Sequence, residues 1–295
     1  MELQAFLITF REALEAILIV GVIITYLKFI DQSHWNKYVW VGVILALLTS
    51  YGIALAFQVV FTGFGAMANQ VYLKVGIMII STALLTHMIM FMNQQRKQFS
   101  KELQSKVAMI ISTGGALNMI AHSYLVVVRE GVETVFFFAA ITGGDIQRAL
   151  QSWGALLGVV LALIIGVGFF RGARKIKLSN FFKITSVFLM LIAAGLFVQA
   201  VGILQDLKII GSVYTTPGGQ IGQVYNIDWL MPEHPQDEEH YIRDTGKEPL
   251  LNGQVGIFFK AFLGYNHDPS VEEFLAYWAY FIFIFFITIR QKQTA

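Results

Sequence analysis

Two short sequences place an arginine and two carboxylates within stretches that are otherwise apolar. The first is Arg11-Glu12-Ala13-Leu14-Glu15. The second, Arg129-Glu130-Gly131-Val132-Glu133, follows about 118 positions later, an internal similarity that indicates a repeat. In a helix, residues three or four apart lie on one face. The two glutamates of each motif therefore point the same way, and each arginine can pair with the second glutamate of its own helix.

Four carboxylates that face one another across two helices could bind a cation. Two arginines and four glutamates carry a formal charge of about −2, which suits a multivalent ion. Carboxylate oxygens are ligands for hard cations, and the chain has no cysteine that could supply a thiolate. Buried glutamates can also take up protons, which could couple ion release to protonation. The predicted metal ligands are Glu12, Glu15, Glu130 and Glu133, with Arg11 and Arg129 as supporting residues.

The composition indicates a membrane protein. Of the 295 residues, 56% are hydrophobic and 14% are charged, against about 25% charged in soluble domains. The net charge of +2 is too small to suggest nucleic acid as a partner. A charged side chain at the centre of a membrane helix costs about 2.5–3.5 kcal/mol, so three in each of two helices indicate a function. The structural alternative is a salt-bridge cluster that only fixes helix packing.

The apolar runs predict an all-α, polytopic membrane protein with about seven transmembrane helices, since a crossing needs about 20 apolar residues. The predicted spans are 3–28, 39–61, 71–92, 117–143, 152–171, 181–205 and 274–290. Segment 101–116 is interpreted as an interfacial lead-in with a bend at Gly114-Gly115. Lysine and arginine concentrate in every second short loop, which predicts the N-terminus outside and the C-terminus inside the cytoplasmic (inner) membrane.

The motifs lie on the first and fourth spans, so each unit holds three spans, an odd number, and the two units are predicted to enter the membrane in opposite directions. This is the inverted-repeat plan of many secondary transporters, with the substrate site near the midplane. The predicted organisation is a first three-helix repeat (1–100), a second, inverted one (101–205), an extracytoplasmic acidic loop (206–273), and a seventh helix with a cytoplasmic tail (274–295).

Other polar residues are weaker candidates. His122, two turns before the second motif, is an accessory ligand or a packing residue. Gln199, Gln205 and Asp206 either line an exit or pack. Ser270 and Glu273 predict a capping box at the start of the last span, and 250–264 is expected to hold a short helix. An outer loop could gather cations by its field, although a solvated loop is the plainer interpretation; its residues are Glu233, His234, Asp237, Glu238, Glu239 and His240.

The paired Arg-Glu-x-x-Glu motifs resemble the signature of the oxidase-dependent iron permease family, which includes fungal high-affinity iron permeases and bacterial EfeU-type permeases. The stretch 16–21 and the stretch from Gly264 to Ser270, with Glu273 and Tyr277, look like the bacterial members. Ala13 stands where the most quoted form of the motif has glycine.

The resemblance implies iron import across the cytoplasmic membrane, with iron as transported substrate, no tightly bound cofactor and the motif glutamates as iron ligands. It also implies extracytoplasmic partners: an iron-binding lipoprotein and a haem peroxidase in bacteria, or a ferroxidase (a multicopper oxidase) in fungi. No long N-terminal soluble domain precedes the first span, so iron capture or oxidation is expected from such a partner. The four carboxylates favour ferric over ferrous iron.

Three alternatives remain open at this point. The first is a proton- or sodium-coupled exchanger for manganese or calcium, because such exchangers also place acidic residues in inverted repeats. The second is a membrane di-iron enzyme, disfavoured because its Glu-x-x-His spacing is absent from both motifs. The third is a structural or interaction protein, which the buried charges disfavour.

Overall fold

The computed structural model describes residues 2–65, 70–95, 99–112, 115–171, 178–216, 218, 221–227, 235–246, 249 and 268–294. Within these residues the chain is helical, apart from turns and two isolated β-bridges. The all-α prediction is confirmed for this part of the chain. The α-helices are α1 (Glu2–Phe29), α2 (Asn36–Gly65), α3 (Gln70–Gln95), α4 (Phe99–Ser112), α5 (Ala116–Thr142), α6 (Ile146–Leu150), α7 (Trp153–Phe170), α8 (Leu178–Asp206), α9 (Pro235–Thr245) and α10 (Val271–Thr294).

Five helices, α2, α3, α7, α8 and α10, are long and apolar enough to cross a membrane. Helices α1 and α5 are 28 and 27 residues long, which suffices for a crossing, but each carries the arginine and two glutamates of its motif within the apolar run. Every predicted span thus corresponds to a long helix. Five apolar helices are consistent with a multi-pass membrane protein, and the count of seven crossings remains a prediction.

The helices pack in pairs that are distant in sequence. Helix α1 lies along α7, α2 lies along α5, and α3 packs against α8, while α1 and α5 meet at the centre. Small residues allow the close approach. A Cβ at Gly42 would lie 2.5 Å from the carbonyl oxygen of Ile120, and a Cβ at Gly154 would overlap the carbonyl of Glu2. Further along, Gly131 on α5 meets Ser50 on α2 and Gly166 on α7 meets Ile17 on α1, so the contacts advance in the same direction along both helices of each pair. Hence α2 runs parallel to α5, and α1 runs parallel to α7.

Helix α4 is a short helix that covers one end of the bundle. Its Leu103 and Val107 are buried in a cluster with Leu27 at the end of α1 and Met119 at the start of α5. Helix α5 begins separately at Ala116. This agrees with the prediction that 101–116 leads into the next span rather than extending it; Gly114 lies outside the described residues.

The segment between α8 and α10 is described only in part. The predicted capping box is confirmed, because the Glu273 N–H donates to Ser270 Oγ (3.1 Å) and the Ser270 N–H donates to Glu273 Oε2 (2.9 Å). Gln205 accepts a hydrogen bond from Ser270 Oγ (2.7 Å) and donates one to Glu272 (2.8 Å). Gln205 therefore ties α8 to α10. The short helix expected at 250–264 lies outside the described residues.

Candidate metal centre

Three glutamates from the two motif helices converge where α1 and α5 meet. One carboxylate oxygen from each of Glu12, Glu130 and Glu133 lies within 4.8 Å of the other two. Glu12 and Glu130 are 2% and 4% exposed, and Glu133 is half-buried. The i, i+3 spacing puts Glu130 and Glu133 on one face of α5, and the packing of α1 brings Glu12 opposite them. The cluster thus combines both motifs, as the sequence predicts.

Arg11 is fully buried inside the protein. Its side chain is 0% exposed, with Nη1 3.6 Å from Glu12 and Nη2 3.1 Å from Glu15. Nη1 also donates to the sulfur of Met88 on α3, at 2.9 Å. A guanidinium can contact several groups at once because its five donors lie in one plane. Arg11 therefore offsets part of the negative charge and fixes two carboxylates of α1.

Arg129 has the equivalent position in the second motif but a different environment. Its side chain is 52% exposed, and Nε donates to Glu133 at 3.0 Å and lies 3.7 Å from Glu130. Both arginines pair with a glutamate four residues on, as predicted. The site is therefore fully enclosed on the Arg11 side, whereas the Arg129 side chain is half-exposed.

The carboxylates of the cluster keep oxygens that no protein donor satisfies. Both oxygens of Glu12 and one oxygen each of Glu130 and Glu133 are buried without a hydrogen bond. Unpaired buried carboxylate oxygens are costly in a protein interior. A set of such oxygens with a net negative charge is suited to a hard cation with oxygen coordination.

Glu15 stands apart from this group. It forms an ion pair with Arg11 at 3.1 Å, and it is not among the three carboxylates that lie within 4.8 Å of one another. It nevertheless lies within electrostatic range of Glu133 in the second motif. The structure thus arranges the four predicted ligands as a group of three with Glu15 beside it.

The remaining candidates lie elsewhere. His122 is half-buried on α5, eight residues before Glu130, which is about 12 Å along a helix axis; its Nε2 is buried without a partner. In the outer loop, Glu239 and His240 are exposed on α9. Asp237 and Glu238 belong to the same helix, but their side chains lie outside the described part of the structure. Glu233 and His234 lie outside it altogether.

Two residues near the centre, Met88 and Ser50, were missed by the sequence reasoning. Met88 contacts Arg11, and no charge or motif distinguishes it in the sequence. Ser50 on α2 lies against Gly131 so closely that a Cβ at Gly131 would overlap the serine side chain. The signal that could have identified Ser50 is the four-residue spacing of small residues along α2, at Gly42, Ala46 and Ser50.

A bundle of long apolar helices around a buried carboxylate cluster defines a multi-pass membrane protein with an internal polar site. Residues 2–229 match the iron permease FTR1 family. The ferrous iron permease EfeU of Yersinia pestis is 30% identical over 290 residues, which cover 97% of this chain and 93% of the relative. The protein of the same name from Escherichia coli O157:H7 is 32% identical over 284 residues, covering 94% and 91%. No solved structure matches.

The chain therefore belongs to the iron permease FTR1 family, which confirms the resemblance stated from the motifs. The family and its relatives are permeases, so the protein is a transporter rather than an enzyme, and iron is its transported substrate. The di-iron enzyme is excluded as an interpretation on this ground.

Proposed function

We propose that this protein imports iron across the cytoplasmic membrane through the carboxylate cluster between α1 and α5. The observation that carries the proposal is the group of Glu12, Glu130 and Glu133, whose oxygens lie within 4.8 Å of one another and include buried oxygens without donors. Glu15 completes the set as a fourth carboxylate that can join the ion during passage. Arg11 and Arg129 hold the carboxylates of the empty site against their mutual repulsion.

We also propose seven crossings, arranged as two inverted three-helix repeats with α10 outside them and the N-terminus outside. The helix pairing supports this arrangement. In the proposed repeats α1 corresponds to α5, α2 to α7 and α3 to α8. The contact α1–α7 in one repeat pattern then corresponds to the contact α5–α2, whereas α3–α8 and α1–α5 each correspond to themselves. The parallel direction within α1–α7 and α2–α5 is also what alternating crossings require.

The matching positions agree in detail. The shift that superimposes Arg11 on Arg129 also superimposes Glu2 on Ile120. The carbonyls of these two residues are the ones that approach Gly154 and Gly42. The same close contact therefore occurs at equivalent places in both proposed repeats, which supports a common origin of the two halves.

The oxidation state of the imported iron is part of the proposal. An oxygen-only donor set favours ferric iron, whereas the relatives are named ferrous iron permeases. The resemblance to the bacterial members supports an iron-binding lipoprotein and a haem peroxidase, or a ferroxidase, as extracytoplasmic partners. No resident cofactor is needed for this scheme, because the ion is the cargo.

The test is uptake of radiolabelled iron by proteoliposomes, supplied once as ferrous iron with a reductant and once as a soluble ferric chelate. The wild type is compared with Glu130→Gln/Glu133→Gln, and manganese and calcium serve as competitors. We expect iron entry that the substitutions abolish and that the competitors barely reduce. Normal uptake by the double variant would overturn the site. Equal entry of calcium would instead favour a cation exchanger.

A further inference from the structure

Two serine hydroxyls in the bundle are unusual because they lack the common partner of a helical hydroxyl. Hydroxyls in helices often donate to the carbonyl one turn earlier. Thr9, Thr134 and Thr142 do so, at 2.7, 2.8 and 2.6 Å respectively. Ser50 on α2 and Ser123 on α5, in contrast, have buried Oγ atoms with no hydrogen-bond partner. Both hydroxyls are thus available to a ligand or to water.

Both serines lie on the contact between α2 and α5. Ser123 is 0% exposed and sits beside Gly42, whereas Ser50 sits beside Gly131, next to Glu130 of the carboxylate cluster. These two contacts fix the register of the parallel helices. Ser50 is therefore level with the cluster, and Ser123 lies about 12 Å along the axis from it, at a rise of about 1.5 Å per residue.

Further polar groups fill the distance between the two serines and continue beyond them. The Tyr124 hydroxyl donates to Thr49 Oγ1 at 3.4 Å, one residue before Ser50. His122 follows next to Ser123, with a buried and unpartnered Nε2, within electrostatic range of Lys106 on α4. We name this set of five residues, Thr49, Ser50, His122, Ser123 and Tyr124, the polar seam. It runs from the cluster to the end of the bundle that α4 covers.

The equivalent contact between α1 and α7 is apolar at four of the five matching positions; the fifth, His122, corresponds to Gln4. A shift of 118 residues relates α1 to α5, and a shift of 112 residues, from Gly42 to Gly154, relates α2 to α7. These shifts place Ala5 at the position of Ser123 and Ala162 at that of Ser50, and both alanines are 0% exposed. Phe6 and Leu161 correspond to Tyr124 and Thr49. Two helix pairs with the same backbone geometry therefore differ in chemistry, and hydroxyl groups line only one of them at these positions.

We propose that the polar seam is the path along which the iron ion moves between the carboxylate cluster and the end of the bundle beneath α4. The proposal rests on the proposed function. Hydroxyl and imidazole groups can replace water around a partly dehydrated cation without binding it as tightly as carboxylates do. The distribution of lysine and arginine places this end on the cytoplasmic side, so the seam is the exit half of the path.

The absence of cysteine from the chain allows a direct test by single cysteine substitutions. Ser50→Cys and Ser123→Cys are compared with the matched controls Ala162→Cys and Ala5→Cys, using a small, charged, water-soluble methanethiosulfonate on vesicles of both orientations. We expect the serine positions to react about tenfold faster than the alanine positions, because thiols react only where water reaches them. The serine positions should react with reagent added on the side of the membrane where α4 lies, and bound iron should slow the reaction.

Equal labelling of the alanine positions, or no labelling at either serine position, would overturn the proposal. The labelling is read without transport, so its result is independent of whether the protein imports iron. A substitution by cysteine changes the volume of serine little, and either serine position alone can decide the test if the other variant fails to fold.

Transport supplies a second, separate measurement. Ser50→Ala/Ser123→Ala should bind iron as the wild type does but import it about tenfold more slowly, the factor that about 1.4 kcal/mol in the barrier produces. Thr142→Ala, which removes a hydroxyl from α5 away from the seam, should leave uptake unchanged. Unchanged uptake by the double serine variant would refute the seam while leaving the carboxylate site intact.

Discussion

Replacement of Glu12 by glutamine tests the electrostatic account of the cluster most directly. Two like charges at 4.8 Å, the upper limit of the separations within the cluster, repel by about 3.5 kcal/mol at an effective dielectric constant of about 20. When all three carboxylates are ionised, Glu12→Gln removes two such repulsions. It also removes the attraction of Arg11 across 3.6 Å, which is about 4.5 kcal/mol on the same scale. The net effect is a relief of about 2 kcal/mol in the empty site.

The empty Glu12→Gln protein should therefore be more stable than the wild type, although it has lost a buried ion pair. A gain of about 2 kcal/mol corresponds to a rise of about 4 °C in the unfolding midpoint. The opposite change is expected with iron present. An ion at about 100 times its dissociation constant stabilises the wild type by about 2.7 kcal/mol; if the lost ligand weakens binding about 100-fold, the variant gains only about 0.4 kcal/mol.

The assay is thermal unfolding in detergent with and without iron, followed by uptake in proteoliposomes. Glu2→Gln is the matched control, because Glu2 lies on the same helix and contacts the N–H of Gly154 rather than the cluster. The control should keep the wild-type response to iron. A lower midpoint for the empty Glu12→Gln protein, together with an unchanged response to iron, would refute the reasoning.

Three further predictions concern the surroundings of the cluster. Arg11→Lys should lower stability by about 3 kcal/mol, since a single ammonium cannot keep the buried contacts of the guanidinium with Glu12, Glu15 and Met88. Arg129→Lys at a half-exposed site should retain most of the stability; unfolding midpoints and uptake of both variants check this difference. Gly131→Ala should cost about 1–3 kcal/mol and reduce uptake because α5 must move away from α2; Gly168→Ala, where a Cβ meets open space, should be neutral in the same assays. Ser270→Ala should cost about 1 kcal/mol through loss of the helix cap, measured by unfolding, and leave uptake per folded molecule unchanged.

The long helices could be predicted from the sequence because a lipid environment leaves few choices. Each predicted span coincides with a helix, since about 20 consecutive apolar residues can satisfy their backbone in lipid only as a helix. The motif positions were equally readable, because charges within such runs are exceptional. The start of α10 was predictable from Ser270 and Glu273 because a capping box is a local pattern.

The arrangement within the cluster could not be read in the same way. The spacing of a motif fixes which residues share a helix face, but it does not fix how two helices rotate against each other. That rotation brings Glu12 to Glu130 and leaves Glu15 beside Arg11. It also makes the burial of Arg11 and Arg129 different, although the two motifs have the same pattern. Contacts of this kind depend on residues distant in sequence.

The polar residues at the end of α8 illustrate a choice that the sequence left open. Gln205 was expected either to line an exit or to pack, and the structure shows it bonded to Ser270 and Glu272 of α10. A glutamine at the end of an apolar helix looks the same in the sequence whether it lines an exit path or packs against another helix. Only its partners distinguish them, and these partners lie about 65 positions further along the chain.

The pairing of α1 with α7 has a consequence for the order of assembly during synthesis. Residues 30–152 lie between the end of α1 and the start of α7, and at about 5–20 residues per second a stretch of this length takes about 6–25 s to make. Throughout that interval α1, which carries Arg11 and Glu12, lacks the helix against which most of its surface packs. The nascent chain must therefore shelter α1 within the insertion machinery or among its own early helices until α7 arrives, so a protein truncated before residue 153 should be recognised as unassembled and degraded.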